Sequence, residues 1–284
     1  MFYVSIFENS KKQQLLDAIM SDNEATAIDL IVSGVDVNIT SSDGMSLLDI
    51  ACHRKQVSTV EALLNSNAKI SLGVCRKRNA AHWAVLPKET GKIDDIEHQG
   101  AATSILECLI EKDIDIQKYD KDGMTPLLWA VWAGNTLSVH ALLAEGVDPK
   151  QRSKCKEGLT ASHYAALTGH AQALRHLIRK GADLTAVSND NETLLHVASR
   201  SGQNEIIQMI LQEGFDLDAS IKNNQGETAL DIAKRNGHRD IVAMFEQEYA
   251  RNFVNYQKML TEKNSQNISQ KKAKALSLKR RPKR

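Results

Sequence analysis

Residues 119–148 read Tyr-Asp-Lys-Asp-Gly-Met-Thr-Pro-Leu-Leu-Trp-Ala-Val-Trp-Ala-Gly-Asn-Thr-Leu-Ser-Val-His-Ala-Leu-Leu-Ala-Glu-Gly-Val-Asp. Asp122-Gly123 is a tight-turn dipeptide, Thr125 can cap a helix N-terminus, and Pro126 falls where a missing N–H costs nothing. Leu127, Leu128 and Ala130 form one apolar face, and Val139, Leu142 and Leu143 form another. Gly134 breaks the chain between them. Two helices this short are not stable alone, so the unit has to stack on neighbours.

The same block recurs on both sides. Taking the threonine that opens the first helix as the reference, the equivalent positions are Gln13, Ser46, Asn79, Thr125, Thr160, Thr193 and Thr228. Their intervals are 33, 33, 46, 35, 33 and 35 residues. A period near 33 with this turn and helix chemistry resembles the ankyrin repeat. The resemblance covers residues 9 to about 247 and is most specific in the fourth to seventh units, where Thr125-Pro126, Thr160-Ala161-Ser162-His163, Thr193-Leu194-Leu195-His196 and Thr228-Ala229-Leu230-Asp231 stand at the reference position. It implies an all-α solenoid of about seven helix-turn-helix repeats with end caps and a disordered basic tail.

The outer units depart from the pattern. Residues 1–38 read as an N-terminal cap with a degenerate repeat: Lys11, Lys12, Gln13 and Gln14 replace the Thr-Pro, and the helix pair is carried by Leu15, Leu16 and Ala18, then Ile28, Leu30 and Ile31. Repeats follow over 39–247. In the second, Asn67 stands where the family has a left-handed glycine, a conformation asparagine tolerates. The third keeps His82 and Ala84 without Thr-Pro, and its extra length falls at 86–100, read as a surface loop with the second helix resuming near Ala102. After the last repeat Phe245, Tyr249, Phe253, Tyr256 and Leu260 recur at helical spacing, so 248–263 reads as a C-terminal capping helix, with a partner-binding helix as the alternative. Residues 264–284 read as a disordered basic tail.

Composition agrees. The 284 residues are 42% hydrophobic, 25% charged and only 5% aromatic, which suits a helical array better than a β-sandwich. Met1–Asn9 has a short apolar patch without a basic region or small-residue cleavage site, so no secretory signal is expected. Cys52, Cys75, Cys108 and Cys155 are widely spaced and read as thiols of a reducing compartment. The net charge of +1 hides an asymmetry: residues 271–284 hold eight of the 36 Lys and Arg and no acid, leaving 28 basic against 35 acidic groups in residues 1–270.

Catalytic chemistry is not what these residues spell. His82, His163 and His196 share one repeat position, where the resemblance implies hydrogen bonds between neighbouring repeats. His170 and His238 share another, after the inter-helix glycine. Asp94, Asp95, Glu97 and His98 could gather a cation, but match no calcium loop and read as solvated charges. Neither a phosphate loop nor a nucleophile elbow is present. The expectation is a non-enzymatic protein with no cofactor and no metal.

What the resemblance does imply is a protein partner, bound by a monomer on the concave surface of turn tips and first helices. Trp132 and Leu167, two residues after the helix alanine, face it, as do Arg200 and Arg235 in the sixth and seventh units. Tyr119 and Met124 adjoin Trp132, and an open Trp beside Tyr, Met and Leu has the composition of a binding hot spot, the alternative being that Trp132 covers the long helix of the fifth unit. Arg76, Arg78, Arg152 and Lys154 add charge at the tips, with Asp120 and Asp122 between them. Mixed signs fit a protein with an acidic segment better than a nucleic-acid backbone, which would want a continuous basic stripe. Lys279, Arg280, Arg281, Lys283 and Arg284 resemble a nuclear-localisation signal; nucleic acid, chromatin or an anionic membrane are the other readings of that run. The expected location is cytoplasmic or nuclear. Ankyrin arrays also occur in bacterial effectors, for which it would be the host cell. Leu30–Asn38 resembles a site of asparagine hydroxylation, against a turn role for Asn38.

Overall fold

The computed structural model describes residues 2–70, 75–87, 96–213, 215, 217–251, 253, 254, 257, 258 and 263. The helices come in pairs: α1 (Phe2–Met20) with α2 (Glu24–Val32), α3 (Leu47–Arg54) with α4 (Val57–Asn65), and α5 (Ala80–Val85) with α6 (Ile96–Ile110). Then come α7 (Pro126–Trp132) with α8 (Thr136–Ala144), α9 (Ala161–Thr168) with α10 (Ala171–Arg179), and α11 (Leu194–Ser201) with α12 (Asn204–Gln212). The last pair is α13 (Ala229–Asn236) with α14 (239–251). First helices pack in one row from α1 to α13 and second helices in another from α2 to α12. No strand occurs among the described residues, only isolated bridges such as Thr40 to Ser46.

Each first helix begins the same way. Ser46, Asn79, Thr125, Thr160, Thr193 and Thr228 all cap with their side-chain oxygens, accepting from the backbone N–H three residues on. In the fifth and sixth repeats the residue three on is histidine, and the threonine hydroxyl donates to its Nδ1 at 2.7 Å. That leaves Nε2–H to donate forward, from His163 to the Glu192 carbonyl at 3.0 Å and from His196 to the Glu227 carbonyl at 3.1 Å. His82 reaches the Met124 carbonyl likewise at 3.3 Å. One side chain closes its own helix and ties it to the next repeat.

Between the helix pairs, the turns stack as fingers. Each is closed on itself, as by Asp120 N–H to the Met124 carbonyl and Ser188 N–H to the Glu192 carbonyl. The fourth to seventh also each donate one backbone bond to the finger before: Lys121 to Arg76, Lys154 to Gly123, Asn189 to Glu157 and Asn224 to Asp190. The core is continuous, running from Leu15 and Ile19 through Leu63, Leu106, Leu142 and Leu174 to Ile241 and Phe245.

The irregular units depart from the expectations of sequence. Helix α1 runs unbroken from Phe2, because no proline or glycine interrupts residues 2–20, so Gln13 opens nothing. In α2 the buried residues are Ala27 and Ile31, while Ile28 and Leu30 are half-buried. Helix α6 begins at Ile96 rather than near Ala102; Glu97 in its first turn suits the helix dipole, and Gly100 costs only about 1 kcal/mol inside it. Residues 88–95, with Asp94 and Asp95, lie outside the described residues. Asn67 is left-handed as expected, with φ 59°. Helix α14 continues from the last repeat, and of its series Phe245 is buried, while Tyr256 and Leu260 lie outside the described residues. Tyr249, Phe253 and Val254 stand exposed rather than covering the stack. The tail 264–284, with Lys279, Arg280, Arg281, Lys283 and Arg284, lies outside the described residues.

A lysine repairs the third unit. Where later repeats end the first helix on glycine, Lys55 takes the left-handed cap at φ 62°. Its Nζ donates to the carbonyls of Cys52, Trp83, Ala84 and Leu86. Three of these close off the six-residue α5, whose terminal carbonyls would otherwise lack partners. The insertion can therefore leave the stack without unravelling it.

Gly123 shows how tightly the fingers are stacked. Its φ is +73°, and a Cβ there would meet the Lys154 carbonyl carbon at 2.8 Å and the Cys155 nitrogen at 2.9 Å. Gly146 has φ +79° with open space around it. Gly146→Ala should cost about 1 kcal/mol from backbone strain alone, and Gly123→Ala roughly 2–3 kcal/mol more from the backbone clash. Urea midpoints of the two variants check this; equal losses would mean the fingers yield freely.

Candidate functional site

The concave side is formed where the fingers overhang the first helices. In the fifth to seventh repeats the overhang encloses a cleft of about 390 Å³. Leu167 of α9 and Val197 of α11 floor it together with Leu159, and Ser188, Asp190 and Asn223–Gln225 line it from the finger side. Arg200 and Arg235 enter from α11 and α13. Each is an exposed arginine paired with the glutamate that precedes its own repeat's capping threonine. Arg200 Nη2 meets Glu192 Oε1, and Arg235 donates from Nε and Nη2 to both oxygens of Glu227 at 2.8 and 2.9 Å. Burial, with Arg235 nearby, lowers the pKa of Arg200 from its ordinary value. The arginines therefore stand fixed and already neutralised, so the cleft presents mixed charge and not a cationic patch.

Three other expected contact residues, Tyr119, Arg152 and Lys154, come together between the fourth and fifth repeats. Tyr119 donates its hydroxyl to the Arg152 carbonyl at 3.1 Å, and Lys154 Nζ sits 3.8 Å from the centre of the Tyr119 ring, an attractive cation–π contact. Trp132 is 41% exposed and packs edge-on against Trp129 with ring centres 5.4 Å apart. Leu167 is half-buried and belongs to the cleft, whereas Trp132 is not among the residues that line it. Arg76 is exposed and 3.5 Å from Asp122.

Two others build the surface instead of offering it. Met124 is only 5% exposed, packed into the core under its finger. Arg78 is 8% exposed and lies between Trp83 and Trp129, at 5.1 and 4.7 Å from their ring centres. Its Nε donates to Asp120 at 2.9 Å and its Nη2 to Asp122 at 3.0 Å. Asp120 also accepts from Trp129 Nε1 and from the backbone of Asp122 and Met124. Burial would raise the Asp120 pKa, but the Met124 N–H, Arg78 and Trp129 outweigh it and hold the carboxyl below its ordinary value. A charge pattern read as a docking tip is thus a buried ion pair joining the third and fourth repeats. Sequence spacing gave no sign of it, because the partners are 42 residues apart.

The histidines are occupied as well. Burial pushes His82 and His163 down to about 4 and lowers His196. No group of three or more metal-ligating side chains occurs among the described residues. Asn38 accepts from the Lys69 N–H at 2.8 Å, which joins the exits of the first two repeats. All four cysteines are free. Among the described residues no helix is long and apolar enough to cross a membrane.

Comparisons with known proteins agree with this geometry. A family model described as ankyrin repeats (3 copies) matches residues 135–221 and 163–256. The chain is 32% identical over 113 residues to the E3 ubiquitin-protein ligase KEG of Arabidopsis thaliana, covering 40% of this chain and 7% of that protein. It is 28% identical over 189 residues to the palmitoyltransferase AKR1 of Lachancea kluyveri, covering 66% of this chain and 24% of that one. Both relatives are much longer, and the likeness spans a small part of each. Among solved structures, the human ASB11 ankyrin repeat domain superposes with a TM-score of 0.67 at 21% identity, covering 81% of this chain and 96% of that domain.

Breaking the Arg78 pair leaves Asp120 buried with neutral donors alone, so Arg78→Ala should cost about 3 kcal/mol, against roughly 0.5 kcal/mol or less for the exposed Arg76→Ala. Chemical denaturation of the two variants decides; similar small losses would return Arg78 to the surface.

Acid should also destabilise the stack. An unfolded chain protonates His82 and His163 near 6.5 while the folded one resists to about 4, so stability present above pH 6.5 is lost as pH falls through that window. Each histidine contributes roughly 3 kcal/mol to the loss. Burial raises Asp49 to about 6, which works the other way and offsets about one histidine. Urea unfolding at pH 7 and pH 4 should show a net loss of a few kcal/mol; a flat profile would mean the forward bonds survive protonation.

Proposed function

This chain is an ankyrin-repeat protein, and from that we propose that it is a non-enzymatic module that captures a protein segment on its concave face. The fold and its relatives support protein binding in general. The observation that carries the specific site is the cleft of the fifth to seventh repeats, an apolar floor of Leu159, Leu167 and Val197 under a hydrogen-bonding rim. Apolar anchors within a polar rim are what a binding interface needs. Since Glu192 and Glu227 already neutralise Arg200 and Arg235, the segment that fits is one of apolar side chains and backbone groups, not a purely acidic one. Trp132 extends the surface towards Tyr119, Arg152 and Lys154, with Arg76 at its edge.

The non-enzymatic reading rests on how the polar side chains are used. His82, His163 and His196 hold neighbouring repeats together, and Asp120 is enclosed by donors. The palmitoyltransferase relative shares only a fraction of its length with this chain, and its activity is a property of that protein.

We propose a monomer acting in the cytoplasm or nucleus, with the run Lys279–Arg284 as an import signal; the same module would serve an effector inside a host cell. A second reading is favoured by the concentration of charge in 271–284: association with nucleic acid through the tail.

Affinity capture with the whole chain, a chain ending at Asn264 and the double variant Trp132→Ala, Leu167→Ala separates these. Concave-face binding predicts a loss of about tenfold or more in the double variant with an unchanged helical circular-dichroism spectrum, and full capture by the shortened chain. Capture that follows the tail and weakens steeply with salt would instead support the nucleic-acid reading.

A further inference from the structure

At the opposite end of the array from the proposed docking cleft lies a larger one, of about 590 Å³, between α1, α3 and the finger at Ser41–Met45. Leu16, Met20, Met45 and Ile50 give it an apolar lining. Met20 is 48% exposed, an unusual loss of contact for a side chain of its size. Around these stand three carboxylates, Asp17, Asp22 and Asp43. Asp22 pairs with Arg54 at 3.0 Å. Asp17 accepts from Gln13 and Asp43 from the Ser42 hydroxyl, neutral donors, and both carboxylates are exposed. The cleft is therefore apolar at its floor and acidic at its rim.

We propose that residues 271–284 of the same chain occupy this cleft. They read Lys-Lys-Ala-Lys-Ala-Leu-Ser-Leu-Lys-Arg-Arg-Pro-Lys-Arg, eight positive charges with no acid around a short apolar centre. Leu276 and Leu278 are two residues apart, the spacing that an extended segment presents on one side. The floor takes the two leucines, and the flanking lysines and arginines meet Asp17 and Asp43. The charges suit each other beyond this contact, because residues 1–270 carry 35 acids against 28 bases.

Fully extended, the 14 residues from 264 to Leu278 span about 50 Å. Five repeat steps from the seventh pair back to the second, at the roughly 10 Å of packed helices, come to about the same, so the segment meets the cleft when stretched along the stack. The tail would then run along the concave face, so that a protein bound in the far cleft and whatever reads the basic run compete with the closed form. The contact itself does not depend on the function proposed above; the competition with a bound protein rests on it.

The test uses the full chain with the photo-reactive p-benzoylphenylalanine in place of Leu278. Irradiation followed by peptide mapping should give a cross-link within one chain to residues 16–20 or 41–45. A cross-link to other surfaces, none at all, or one found only between two chains on a denaturing gel overturns the proposal. Asp17→Asn with Asp43→Asn, both exposed and outside the core, should lower the yield about fivefold without changing the helical spectrum. An undiminished yield would overturn the electrostatic basis of the contact.

Discussion

The stack depends on a hydrogen bond that the third, fifth and sixth repeats each give to the next. A capping threonine fixes the imidazole three residues on, and the imidazole then donates Nε2–H to a carbonyl one repeat further along, as His163 does to Glu192 and His196 to Glu227. Helices of eight or nine residues cannot hold themselves in water. They persist because their capping, their burial and their registry with the next pair are one structure, satisfied or lost together. The finger bonds repeat the same logic in the backbone, one donor from each of the fourth to seventh fingers. Low proton affinity in His82 and His163 follows directly, since a buried imidazolium would have neither the solvent nor the acceptors it needs.

Most of this was legible in the sequence because it rests on local chemistry. Thr125-Pro126, the threonines at 160, 193 and 228, and the glycines that close each first helix mark their elements through backbone geometry, which does not depend on what lies 40 residues away. The breaks in the pattern were harder to read. Lys55 in a glycine's place looks like a loss of the motif, and only the arrival of four carbonyls at its ammonium shows it to be a substitute. Helix α1 offered no cap at Gln13 because none was needed there; the helix had already begun.

The candidate site divides along the same line. Positions counted from the helix alanine put Leu167, Arg200 and Arg235 in one cleft, since repeat register fixes which face a residue occupies. Register says nothing about neutralisation. Arg78, Arg200 and Arg235 look alike in sequence, yet the first is sealed between two tryptophans and the others stand on the surface with a glutamate each. Whether a basic residue can meet a partner depended on acids that no spacing rule connects to it, such as Asp120 for Arg78.

Specificity in such an array has to come from the positions that the stack leaves free. The repeats spend their capping residues, the histidine or aspartate three positions on where one is present, their small helix residues and their inter-helix turns on the stack, and substitution there costs stability before it changes recognition. Less committed to the stack is the residue two places beyond the helix alanine, Trp132 in the fourth repeat and Arg200 in the sixth, whereas the finger tips are tied back, Asp122 to Arg78 and Asn189 to the Lys156 carbonyl. Trp132 is aromatic and exposed, Arg200 polar and clamped, though both hang from the same frame. A continuous concave face therefore offers different chemistry along its length. In the function proposed above, a bound segment would have to match it in order, apolar groups towards Trp132 and hydrogen-bonding groups towards Arg235, and its direction would follow from these side chains.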